Sequence, residues 1–189
     1  MKKLITIILI TLSLQSCIFV VGAAAGAAGV AVVYDHRKLE KVLQDQKLAN
    51  LASDKIKSIR ELNENTHISV TCFNQVVLLT GEANSSELRQ EAEDVVKSIS
   101  GINHVYNEVT VKGPSSTLTR ASDSWITAKI KTQMLATKGL QSGTIKVVTE
   151  NGSVYLMGVV NQHQANIAVE IARSVAGVQR VVKIFQYTD

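Results

Sequence analysis

The 189-residue sequence has one Pro, two Cys and only 4% aromatic residues. So little Pro, with eleven Gly, excludes collagen-like and Pro-rich low-complexity architectures. Two Cys cannot build a zinc site or a disulfide framework. No Gly-x-Ser-x-Gly, phosphate-cradling Gly-rich loop or His-Glu-x-x-His is present. His36, His67, His104 and His163 stand apart, without a carboxylate at ligand spacing, and read as surface or structural residues. Glu91, Glu93 and Asp94 fall on the polar face of an amphipathic helix, which is a solvated face rather than an acid–base pair. The expectation is therefore a non-enzymatic chain with no cofactor, metal or small-molecule substrate. An excess of one charge is missing too. Without Lys2 and Lys3, which lie in a leader described next, 18 basic side chains face 16 acidic ones, too even a balance for a nucleic-acid binder. An apolar fraction of 46% excludes wholesale disorder.

What is present begins with an address. Met1-Lys2-Lys3 is a basic n-region, Leu4 to Leu14 an apolar h-region too short to span a bilayer, and Gln15-Ser16-Cys17 follows. Leu14-Gln15-Ser16-Cys17 resembles the bacterial lipobox, which implies cleavage after residue 16 and acylation of Cys17. Several acyl chains, at about 0.8 kcal/mol per buried CH₂, would make that anchor permanent. By the same resemblance, Ile18 rather than Asp after the Cys implies the periplasmic face of the outer membrane. Residues 18–34 are uncharged but dominated by Gly and Ala. They read as a tether, with a membrane span or an oligomerising helix as the alternatives.

Beyond residue 47 the chain repeats itself. Lys55-Ile56-Lys57 is matched to Lys129-Ile130-Lys131, Val77-Leu78-Leu79-Thr80-Gly81 to Val154-Tyr155-Leu156-Met157-Gly158, and Gly101-Ile102 to Gly177-Val178, at offsets of 74, 77 and 76. The expected division is a signal peptide (1–16), an acylated Cys and tether (17–47), a first domain (48–112), a linker (113–122) holding the lone Pro, and a second domain (123–189). Each copy predicts α-β-β-α-β. The first helix keeps Leu48, Leu51, Ala52, Ile56, Ile59 and Leu62 on one face, or Ile126, Ile130 and Met134. Two alternating strands follow, joined in the second copy by a strong hairpin signal at Asn151-Gly152. Asn84 and Asn161 are the expected caps of the second helix, Gly101 and Gly177 its C-terminal stops. A closing strand runs from Val105 or Val181. The fold class is α+β: two small three-stranded sheets, each packed on two helices.

The strand, turn, Val-x-Leu-x-Gly strand end, helix and Gly-Val-x-x-Val spacing resemble the BON domain. A lipobox followed by two such domains is similar to dual-BON outer-membrane lipoproteins. That resemblance implies phospholipid binding, no catalysis and a part in envelope integrity.

Charge separates the copies. Residues 48–112 carry six basic and nine acidic side chains, and residues 113–189 eight and four. The second copy is therefore the candidate for an anionic surface. Its first helix holds the only Trp in the sequence. Trp125 lies about 140° from the middle of the Ile126, Ile130 and Met134 stripe, and Lys129 follows one turn later. An off-core Trp beside Lys suits a lipid headgroup boundary; the other reading packs Trp125 against the first domain or the linker. The expected phospholipid-binding set is Trp125, Lys129, Lys131, Leu135 and Lys138, with Cys17 as the lipid attachment. The rival function is a tethered periplasmic adaptor that uses Trp125 as an interface anchor for an outer-membrane or periplasmic protein. A structural lipoprotein close to the peptidoglycan is a third, weaker reading.

Overall fold

The computed structural model describes residues 39–113 and 115–188. In the first domain, helix α1 (Leu39–Ser58) and the short helix α2 (Arg60–Asn65) lead into strands β1 (Thr66–Phe73) and β2 (Val76–Ala83), then helix α3 (Ser86–Lys97), and the closing strand in two pieces, β3 (His104–Asn107) and β4 (Thr110–Val111). The second domain repeats this with α4 (Thr117–Ala136), a single 3₁₀ turn, β5 (Ile145–Glu150), β6 (Ser153–Val160), α5 (Gln162–Ser174) and β7 (Arg180–Tyr187). In both sheets the hairpin strands pair antiparallel and the closing strand joins the middle strand in parallel.

Several boundaries differ from the sequence reading. Helix α1 begins at Leu39, inside the stretch expected as tether, and α4 begins at Thr117, inside the expected linker. Neither turn has enough apolar residues facing the core to show a helical period. Ser116, not a residue near 122, caps α4 by accepting from the Thr119 N–H. Asn161 caps α5 as expected, but the cap of α3 is Ser85 rather than Asn84. The helix α1 stripe also ends sooner than expected. Ile59 is extended and separates α1 from α2, and Leu51 is exposed.

The repeat itself is shifted in the first helix. Asp45 and Asp123, 4% and 6% exposed, play one role in the two domains. Asp45 accepts the backbone N–H groups of Asn74 and Gln75 at 2.7 and 2.9 Å, and Asp123 those of Asn151 and Gly152 at 2.8 and 2.9 Å. Gly101 sits against Leu48 as Gly177 sits against Ile126. The equivalent pairs are thus 45 with 123 and 48 with 126, an offset of 78 rather than 74, four residues or about one helical turn away. A helix displaced by four residues presents nearly the same apolar stripe, so periodicity alone could not choose between the registers.

Packing explains why β2 is buried along its whole length. Val77 and Leu79 face helices α1 and α3 in one core, while Val76 and Leu78 point the other way. There they meet Tyr155, Met157 and Ile184 of the second sheet, with Phe73 beside them. The two sheets are back to back, with the helices outside: helix, sheet, sheet, helix. Each domain is near the lower size limit for a self-sufficient core, and this shared third core joins them. Polar contacts fringe the join. Arg180 donates to Glu108 Oε2 at 2.8 Å and to the Tyr155 hydroxyl at 3.2 Å, and Lys146 Nζ donates to the Cys72 carbonyl at 3.3 Å.

Candidate functional site

Helix α4 packs Ile126, Ile130 and Met134 into the second domain's core. The same helical period places the rest of its surface. At 100° per residue, the direction opposite the core is occupied by Ala121, Ala128 and Thr132, with Trp125 and Leu135 within about 40° on either side. Trp125 and Leu135 are 55% and 51% exposed. The structure adds Leu118, 79% exposed and seven residues before Trp125, hence almost in line with it. The spacing 118–125–132 is its sequence signal, masked because residues 113–122 have the composition of a linker. The result is a ridge of apolar and small side chains between four and five turns long on the solvent side of an otherwise core-bound helix.

Basic residues stand at both margins of this ridge. Lys129 lies about 80° to one side of its centre, and Lys131 the same angle to the other, with Arg120 about 20° beyond. All three are exposed. Lys138 is exposed too, but it follows the end of α4 at Ala136 and is off the ridge. Lys and Arg in such positions can lie along the apolar strip while their charged ends reach outward. Cys17 and the 18–34 stretch lie outside the described residues. Among the described residues no helix is long and apolar enough to cross a membrane.

The corresponding helix in the first domain has a shorter apolar strip, with exposed Leu39 and Leu43 opposite its core, and no aromatic residue. In the register set by the two aspartates, Glu40 stands where Leu118 does, Lys47 where Trp125 does and Lys57 where Leu135 does. Cys72, 1% exposed, is no rival centre of chemistry. Burial first, then the neighbouring Asp45 charge, pushes its thiol up to about 12. A thiol so seldom ionised is inert.

Two copies of one α-β-β-α-β unit, joined through their sheets, define a tandem-domain α+β protein. The BON domain pattern matches residues 44–113 and again 122–189, and the chain belongs to the BON domain family. It is 34% identical over 190 residues to the outer membrane lipoprotein DolP of Haemophilus influenzae, across 100% of this chain and 97% of that one. It is also 34% identical over 150 residues to the 21 kDa hemolysin of Actinobacillus pleuropneumoniae, 79% of this chain and 75% of that one. Similarity to the osmotically-inducible protein Y of Escherichia coli is again 34%, over 138 residues.

Proposed function

We propose that the chain is a non-enzymatic lipoprotein, held by acylated Cys17 at the periplasmic face of the outer membrane, that binds anionic phospholipid through the α4 ridge and supports envelope integrity. The observation that carries this reading is the ridge: Leu118, Trp125 and Leu135 exposed on one helix face, with Lys129 on one margin and Lys131 and Arg120 on the other. Apolar side chains of this kind enter the headgroup–acyl boundary, and each basic residue near an anionic surface adds about 1 kcal/mol. An acyl anchor in the same membrane would make the second contact intramolecular, so weak affinity suffices. The relative named as an outer membrane lipoprotein, aligned over almost its entire length, supports the location.

The test is flotation of residues 39–189 with vesicles. Both domains are kept because separated halves would expose Leu78, Tyr155 and Met157. Binding to phosphatidylglycerol-containing but not pure phosphatidylcholine vesicles, weakening as salt rises, is the expected result. Binding to neither vesicle would reject the lipid reading and leave the tethered adaptor.

A further inference from the structure

Each hairpin tip reaches across the join to the far end of the other sheet. At one end, Asn74 Nδ2 donates to Gln186 Oε1 at 2.6 Å, amide to amide. At the other, Asn151 Nδ2 donates to Glu82 Oε1 at 2.9 Å and lies 3.4 Å from Glu150 Oε1. The side-chain bridge across the pseudo-symmetric join is therefore neutral at one end, where Lys146 and the buried Asp45 stand beside it, and ionisable at the other.

The surroundings of the ionisable end are uneven. Glu82 is on the join-facing side of β2 and 1% exposed. Glu150 is half-buried on β5, and the buried Asp123 of α4 carries the turn between them. Arg120 of α4 and Lys112 after β4 supply positive charge, and His67 of β1 lines the same cleft as Glu150 and Arg120. Two carboxyls share a single amide nitrogen in a place poor in water, where like charges repel strongly.

We propose that Glu82, Glu150 and Asn151 form a proton-operated latch between the two domains, closed when the carboxyl pair holds one proton and loosened when both are ionised. The proton resides on Glu150. Burial, then the charges of Glu82 and Asp123, raise it above the ordinary glutamate value of 4.5. Burial also opposes the charge of Glu82, but the hydrogen bond from Asn151, the nearby Ser115 and the Lys112 charge outweigh it and hold that carboxyl low. A group raised on folding stabilises the fold fully below its ordinary value, and that contribution is lost as pH rises through the raised one. The join is thus tightest in mild acid and looser towards neutrality. This latch does not depend on the lipid reading.

Thermal unfolding of the full chain in nonionic detergent, followed by circular dichroism from pH 5 to pH 8, tests it. The wild-type Tm should fall across that range. Glu150→Gln should flatten the profile and raise Tm at pH 8, and Glu82→Gln should flatten it too. His67→Asn should keep the wild-type slope, since His67 lines the cleft beside Glu150 without belonging to the latch. Asn74→Ala, at the neutral end, should lower Tm equally at every pH. A wild type without the slope, a slope retained in both Gln variants, or a slope abolished by His67→Asn overturns the proposal.

Discussion

The two domains hold their hairpins with the same buried aspartate, yet on turns of different chemistry. In the second, Asn151 and Gly152 take positive φ, 49° and 71°, on residues suited to it. In the first, Asn74 and Gln75 do the same at 49° and 64°, although Gln is a poor residue for the left-handed region. Two N–H bonds to Asp45 hold a turn there that local preference does not favour. The middle strands differ as well. Gly81 has φ of +113°, and the closing strand is interrupted opposite it. Gly158, its counterpart, is not among the residues of positive φ, and β7 runs unbroken. The outward helix faces differ most: Leu118, Trp125 and Leu135 on α4 are replaced by Glu40, Lys47 and Lys57 on α1, which keeps only a short apolar strip at Leu39 and Leu43. Duplication has kept the internal supports while the solvent side diverged, as expected where only burial constrains the residue type.

The strongest way to break this comparison is in the second domain's own core. Ile130→Glu buries an unpaired carboxylate and should cost more than about 4 kcal/mol. Because the third core joins the sheets, the first domain should lose stability with it, seen as one early transition in both near- and far-ultraviolet circular dichroism. The aspartates come next. Asp45→Ala should cost about 3 kcal/mol and Asp123→Ala nearer 2 in urea unfolding, since the Asn-Gly turn needs less help. Equal costs would mean that turn chemistry is irrelevant. On the functional side, Trp125→Ala and Lys129→Glu should each weaken binding to anionic vesicles about tenfold, or about 1.4 kcal/mol, with melting unchanged. Lys47→Ala on α1 should leave binding unaltered, and a comparable loss there would place the lipid contact on the first domain. The smallest effect is Gln75→Gly, which should stabilise the chain by about 0.5 kcal/mol by relieving the left-handed residue.

Much of this architecture is legible in the residues. Alternation in Ile145, Val147 and Thr149, the Asn151-Gly152 turn and the Asn161 cap are local features whose conformational preference acts within a few residues. Off-core placement of Trp125 follows from helical period, and the exposed side chain in the structure agrees with it. The helix register is less accessible, because a one-turn shift preserves an apolar stripe. It was recoverable from Asp45-x-x-Leu48 and Asp123-x-x-Ile126, had α1 been extended to include Asp45.

Val76-Val77-Leu78-Leu79 and Val154-Tyr155-Leu156-Met157 are continuous apolar runs, the mark of strands buried on both faces. By itself, then, the sequence determined the two α-β-β-α-β units, which side of each first helix enters its core, and the charge contrast between the copies. Only the tertiary structure decided what covers the second face of each sheet and which carboxylates meet there. Those outcomes depend on contacts between residues some seventy positions apart, and no local preference of the chain encodes which distant surface a strand will meet.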